Sequence, residues 1–392
     1  MKKIVFTEEF CQPENLFPFT LTRQIQDIRI GILTIREKWE VYLGMPSFDR
    51  NEGDYKDRER GIKIEEAIGK DIFYLVHGNI IPTPKLIKQV KKLKPGECIA
   101  VPGKESVVYC ISKEEILDSN KIRVRKAIKF DAELKEVRFP WDIFQLNQWA
   151  INEDFILLTS GRKTQKLSFL NRVTNSENIF IEKGARVEHC YLNADDGPIY
   201  IGKNALVMEG TMIRGPVAIG EGAVVKMGTK IYEGTSIGPN CMVGGEIKNS
   251  ILFRNSNKAH DGYLGNAVIG EWCNIGAGTS NSNLKNNASM VTSWTPAGSV
   301  EVGLKCGVMM GDYTTTAINT SINTGTVIGV CCNVFGNGLT PKYIPSFSWG
   351  SDGVERYELE KALKSIQNWK QLKGQSITDN EKIILKHIFA HY

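Results

Sequence analysis

The 392-residue sequence predicts two fold classes in one chain. An α/β N-terminal domain with a mostly parallel sheet comes first. An all-β, left-handed parallel β-helix follows, with helices at the C-terminus. Three observations carry this reading. Aliphatic residues recur every sixth position through the middle of the chain. A continuous apolar run at residues 72–76 leads into a loop and then a helical pattern. Glycine, 37 residues in all, concentrates beyond residue 180.

The bulk numbers bound the answer. The length suits two or three domains. With 42% hydrophobic and 24% charged residues, global disorder is excluded. A net charge of +5 is too small to indicate nucleic acid or a membrane surface by itself, and neither is an expected partner. No apolar run is long enough for a transmembrane helix, and Glu8 and Glu9 interrupt any leader-like core. A cytoplasmic protein is expected. The nine cysteines contain no Cys-x-x-Cys pair and read as small buried thiols.

The N-terminal domain is assigned to residues 1–145. Lys3-Ile4-Val5-Phe6 is a short strand. Residues 25–43 carry Ile28, Ile32, Ile35 and Trp39 at helical spacing, which predicts an amphipathic helix. Residues 72–76 form a buried strand ending at His77-Gly78-Asn79. Residues 84–93 form a helix with Pro84 in its first turn. Strand, loop and helix in that order suit a parallel sheet. Residues 146–176 are a helical linker that includes the polar stretch Gly161-Arg162-Lys163-Thr164-Gln165.

The β-helix is assigned to residues 177–340. Ile201, Val207, Ile213, Ile219, Val225, Ile231, Ile237 and Val243 keep a period of six. That period is a repeat, and hexapeptides build a triangular parallel β-helix of about 18 residues per coil, with coils about 4.8 Å apart. The aliphatic residue points inward, and the glycine after it is expected to turn the corner. The pattern resumes at Ile269, Ile275, Val302 and Ile328. Residues 249–264 and 281–299 are read as interruptions, where function tends to sit. About nine coils are expected. Residues 341–392 hold an extended segment (Pro341, Pro345, Phe347, Trp349), a helix over 355–372, and a last helix opened by the capping box Thr378-Asp379-Asn380-Glu381.

The local sequence carries a resemblance. Lys258-Ala259-His260, Tyr263-Leu264-Gly265 and Asn274-Ile275-Gly276-Ala277-Gly278-Thr279 resemble the acetyltransferase half of the bacterial bifunctional N-acetylglucosamine-1-phosphate uridylyltransferase/glucosamine-1-phosphate acetyltransferase family. The resemblance is specific over about 230–290 and looser elsewhere, and the chain looks like a divergent branch. It implies acetyl-CoA as co-substrate and a homotrimer with sites between neighbouring prisms.

Acetylating a sugar amine requires a base that takes the amine proton. Histidine suits that task. Of the five histidines, His260 alone lies beside the motif; a solvated loop histidine is the alternative. The resemblance places Tyr263 and Asn274 on the sugar. Lys230 and Lys248 are eighteen residues apart and would stack on adjacent coils to receive a phosphate dianion. Two solvated lysines are the alternative. The family has an arginine at the first position, so Lys230 loses a bidentate fork. Glu246 also matches a family glutamate. The resemblance assigns the backbone N–H of Ala277 to the thioester oxygen, Asn283 to the acetyl group, and Asp312 to the cofactor's vicinity. The match breaks at Leu284-Lys285-Asn286-Asn287.

The N-terminal domain lacks the glycine-rich loop with which sugar-nucleotide pyrophosphorylases hold triphosphate. Leu16-Phe17-Pro18-Phe19-Thr20-Leu21-Thr22-Arg23 is similar to the segment after that loop, and Arg23 is the remaining phosphate contact. Asn79 stands where the family has an aspartate for Mg²⁺. The whole predicts small-molecule substrates: acetyl transfer to glucosamine-1-phosphate, then uridylyl transfer from the nucleoside triphosphate UTP, with Mg²⁺ expected for that second step. One alternative is a uridylyl- or thymidylyltransferase for another sugar phosphate, with the prism acylating another sugar or acting as a trimerisation stalk. Another is a non-catalytic nucleotide-sugar-binding scaffold.

Overall fold

The computed structural model describes residues 2–50, 61–62, 72–103, 106–118 and 121–392. The chain divides into two compact units. The first comprises Met1–Pro13, Arg23–Ile28 and Leu33–Arg138, and the second Glu14–Thr22, Arg29–Ile32 and Phe139–Tyr392.

The first unit is built on a seven-stranded sheet. Its spatial order is Lys126–Lys129, Glu97–Ala100, Ser106–Ile111, Phe73–His77, Lys3–Thr7, Ser47–Arg50 and Gly61–Ile62. All pairings are parallel except those of Ser106–Ile111, which runs against both its neighbours. Lys3–Thr7 is an interior strand, with a neighbour on each side, and Ile4, Val5 and Phe6 are all buried. The strand Phe73–His77 is buried throughout, as its apolar run predicts. The helix expected from Pro84 spans Pro84–Val90 and is capped by Thr83 Oγ1, which accepts from the Leu86 amide.

The helix predicted over residues 25–43 is only half present. The α-helix runs from Ile35 to Leu43 and starts at a capping box formed by Thr34 and Glu37. Upstream lie a 3₁₀ turn, Ile25–Asp27, and a break at Gly31. Gly31 has φ 74°, and a Cβ there would lie 2.5 Å from an Asp154 carboxylate oxygen and 2.8 Å from the Ala150 carbonyl carbon. Its amide donates to Asn147 Oδ1, and the Ile32 amide donates to Asp154 Oδ2. Docking of residues 29–32 on the helix Pro140–Thr159 thus overrides the 3.6-residue period.

The second unit is a prism of stacked parallel strands. One face carries six strands from Arg172–Thr174 to Tyr263–Gly265. A second carries nine, from Ile179–Ile181 to Tyr343–Ile344. The third has five strands, from Arg186–Val187 to Asn257–Lys258, and resumes from Thr315–Thr316. The eight aliphatic residues of the hexad repeat are each no more than 3% exposed and share one core. The polar stretch after the helix Pro140–Thr159 is not helical. Its Gln165 bonds through its amide to the Ile181 carbonyl and so begins the first coil.

Three expectations are corrected. The glycines after the aliphatic residues do not turn corners by a left-handed backbone. Asn204, Asn240 and Asn255 do, with φ between 56° and 66°. Gly202, Gly220 and Gly238 are required by close stacking, because a Cβ at each would lie 2.6 Å from the backbone of the next coil. Residues 249–264 are not an interruption. They form a shortened coil whose strands pair Ile237 with Leu252 and Val243 with Lys258. Val302 is not a prism residue. It lies in an antiparallel hairpin, Val291–Thr295 with Gly298–Gly303, which leaves the prism between Ile269 and its stacking partner Met310.

The segment expected to be extended at 341–349 supplies the last coil. Two helices follow, Leu359–Leu372 and Asp379–His391, the second opened by the Thr378–Glu381 capping box. Glu381 also binds Lys370 at 2.6 Å and Tyr313 at 2.8 Å, which ties the helix pair to the prism. No helix among the described residues is long and apolar enough to cross a membrane. None of the nine cysteines is in a disulfide, and all but Cys11 are buried.

Candidate active site

The shortened coil brings the motif residues to one edge of the prism. His260 lies on the corner between the strands Asn257–Lys258 and Tyr263–Gly265. Its ring is exposed, while its main chain is fixed from both sides. Below, the turn lies against Gly244 and Gly245, where Cβ atoms would come 2.5 Å from the Ala259 oxygen and 2.9 Å from the His260 oxygen. Above, the Gly278 amide donates to the Asp261 carbonyl at 2.9 Å. A rigid turn presenting a free imidazole is the arrangement a general base needs.

Tyr263 begins the next strand and is half-buried. Its hydroxyl accepts from Asn283 Nδ2 at 3.1 Å, and Asn283 is anchored in turn to Asn266 Oδ1 at 2.7 Å. Burial pushes the Tyr263 phenol above its ordinary value, so it stays protonated. Asn281 completes the edge from inside: its side chain both donates to the Gly265 carbonyl and accepts from the Gly265 amide. Asn274 is half-buried and bridges Asn257 and Thr315 on the neighbouring face. Ala277 stands at the following corner, with its carbonyl accepting from the Asn319 amide at 2.7 Å.

The two lysines share the face of Tyr263, but they do not stack. Lys230 is in register with Glu246, and Lys248 with Gly265. The eighteen-residue coil on which the expectation rested is shortened here, so the register slips. Lys248 instead makes an ion pair with Glu233 at 2.8 Å and lies over the Tyr232 ring. The Glu233 hydrogen bond raises the Lys248 ammonium above its usual range. Burial works against ionisation of Glu233, but the bond and charge of Lys248 win and hold its carboxyl low. Arg214, one coil below, adds to that field. Sequence reasoning missed Glu233 and Arg214, because neither belongs to the motif and the pairing of Glu233 with Lys248 depends on the slipped register.

Asp312, expected near the cofactor, is 3% exposed and already engaged. One oxygen accepts from the Glu271 amide at 2.8 Å and the other from the Thr22 hydroxyl at 2.7 Å. It therefore pins the segment Glu14–Thr22. That segment, read from the sequence as the flank of a phosphate loop, packs on the prism: Phe17 meets Trp294 edge-on at 5.2 Å, and Phe19 meets Phe253 at 5.4 Å.

In the first unit, the central strands end at Thr7 and His77, where an open α/β sheet places a ligand. The Gly78 amide donates to the Thr7 carbonyl, and the space above Gly78 is filled by the Gln26 carboxamide. His77 is buried against Phe10, and burial pushes its imidazole down to about 4. Arg23 is half-buried at the start of Arg23–Ile28. The residues at these strand ends do not fit Mg²⁺. Asn79 Oδ1 accepts from Cys11 Sγ at 3.4 Å, Glu8 accepts from the Ile25 amide at 2.6 Å, and Glu9 pairs with Arg50. Among the described residues, no group of three metal-ligating side chains converges.

Residues 4–163 match the family model described as sugar nucleotidyl transferase. Over 272 residues the chain is 27% identical to the bifunctional protein GlmU of Methanocaldococcus jannaschii, covering 67% of this chain and 56% of that protein. It is 28% identical over 213 residues to the bifunctional sugar-1-phosphate nucleotidylyltransferase/acetyltransferase of Sulfurisphaera tokodaii, covering 54% and 47%. Among solved structures, the polysialic-acid-specific acetyltransferase NeuO matches with a TM-score of 0.27 at 12% identity, covering 52% of this chain and 92% of its own, a likeness too slight to carry an argument. The chain spans about half the length of the curated relatives it matches. The sequence motifs pointed to the bacterial branch, whereas both these relatives are archaeal. The chain is thus similar to the bifunctional sugar-1-phosphate nucleotidylyltransferase/acetyltransferases, with the nucleotidyltransferase match confined to its N-terminal part.

Proposed function

We propose that the prism, a left-handed β-helix working as a homotrimer, transfers acetyl from acetyl-CoA to the amine of glucosamine-1-phosphate. The observation that carries this reading is the exposed His260 ring on a locked turn, beside the Tyr263–Asn283 pair and on the edge that holds Lys248. The amine nitrogen attacks the thioester carbon while His260 takes its proton. The developing oxyanion is met by the Ala277 N–H. The C–S bond then breaks, and the proton on His260 passes to the departing thiolate, giving free coenzyme A and the N-acetyl sugar. Tyr263 and Asn274 orient the sugar, and Asn283 supports Tyr263 and the acetyl group. Lys230 and Lys248 hold the phosphate. The test is thiol release from acetyl-CoA with glucosamine-1-phosphate as acceptor. Acceptor-dependent release is expected; its absence, with release on another amino sugar, overturns the substrate.

Glu233 makes a further expectation specific. It occupies the Lys248 ammonium that the phosphate requires. Glu233→Gln is therefore expected to lower the acceptor KM by about threefold, a modest effect because the pair is partly exposed. An unchanged or raised KM places the phosphate elsewhere.

For the N-terminal unit we infer uridylyl transfer from UTP to N-acetylglucosamine-1-phosphate, supported by the family match over residues 4–163. Arg23 is the residue proposed for the triphosphate. A second reading is favoured by the engaged Asn79, Glu8 and Glu9: this unit binds a nucleotide sugar without making it. Pyrophosphate release from UTP with N-acetylglucosamine-1-phosphate as acceptor and Mg²⁺ present separates the two: release supports transfer, and nucleotide binding without release supports the second reading.

A further inference from the structure

One buried charge has no part in the mechanism above. Lys258 is in register with Val243, which stacks in turn on Val225 and Val207. It therefore occupies a position that three successive coils fill with valine. The side chain is 1% exposed and points into the prism with them. Its ammonium reaches two residues along the chain and donates to the His260 carbonyl at 2.6 Å. Burial pushes that ammonium down to about 8, with Asp261 opposing the shift. An aliphatic residue would avoid this cost of desolvation. Stability alone does not account for the lysine.

We propose that Lys258 is the positioning residue of His260, holding the carbonyl of the turn from inside the prism so that the imidazole keeps the place a general base needs. The inference rests on the reading of His260 as base. Without the ammonium, the His260 carbonyl loses its interior anchor, and the turn relaxes on the side away from Gly278.

The test is Lys258→Met, alone and in a His260→Ala background. A displacement of the base by about 1 Å lowers kcat by roughly 10- to 100-fold. The acceptor KM is expected to stay within about twofold, since Lys258 touches no substrate. The thermal midpoint is expected to hold or rise, because a buried charge is replaced by an apolar chain. In the His260→Ala background, Lys258→Met is expected to cause no further loss. Should the methionine variant fail to fold, Lys258→Val repeats the residue of the coils below. An unchanged kcat, an additive loss in the double variant, or a kcat that falls only in step with the thermal midpoint in both variants overturns the proposal. A wild-type protein without acetyl transfer, or a fully active His260→Ala, instead overturns the His260 reading and this inference with it.

Discussion

His260→Ala is expected to lower acetyl-transfer turnover by about 100-fold or more, the usual worth of a positioned general base. The same change should move stability by less than about 0.5 kcal/mol, because an exposed side chain contributes little to folding. The turn does not depend on the imidazole. Its carbonyls are held by Lys258 and by the Gly278 amide, and its underside rests on Gly244 and Gly245. Loss of activity with an intact fold therefore isolates the chemistry of the ring. Thiol release and thermal unfolding, measured on the same preparation, check both halves. Turnover within about threefold of wild type would mean that the amine loses its proton to water or to another group, and the site reading would fall.

Much of the prism was legible in the sequence because its physics is one-dimensional. A residue that points inward every sixth position must be aliphatic, and Ile201 to Val243 say so without reference to anything distant. The His260 motif was legible for a related reason: its residues are close in sequence as well as in space. Register between coils was not legible. Pairing of Lys230 with Glu246 depends on how many residues the corner after Val243 uses, and that corner, Gly244–Gly245, is two residues short while the inward positions keep their character. The same slip hid the partnership of Glu233 with Lys248 and the inward direction of Lys258. The break at Gly31 was hidden differently. Ile28, Ile32 and Ile35 are apolar at helical spacing, but the Gly31 and Ile32 amides are satisfied by Asn147 and Asp154, more than a hundred residues away. The glycines were recognised for the wrong property: close approach between coils, rather than a left-handed backbone, excludes a side chain at Gly202, Gly220 and Gly238.

Gly262 combines both properties, and Gly262→Ala is expected to be the most damaging small substitution in the site. Its φ is 126°, a region that costs a non-glycine residue about 1–3 kcal/mol. A Cβ there would also lie 2.1 Å from the Thr279 carbonyl oxygen and 3.0 Å from its carbon. Those atoms belong to the backbone of the coil above, and Thr279 is anchored there by its amide to the Gly276 carbonyl and by its hydroxyl to the Ala317 carbonyl. The neighbour has nowhere to go, so overpacking adds roughly 1–3 kcal/mol. The only segment able to yield is the turn that carries His260. Gly262→Ala should therefore lower the thermal midpoint and acetyl transfer together, whereas His260→Ala lowers transfer alone. Gly228→Ala is the control: its φ is 68°, with open space where the Cβ would go, so only the backbone cost applies, and transfer should persist. Equal effects from the two glycine variants would show that the stacked coil yields to a methyl group, and that the turn is not held between Gly245 and Thr279 as tightly as its geometry requires.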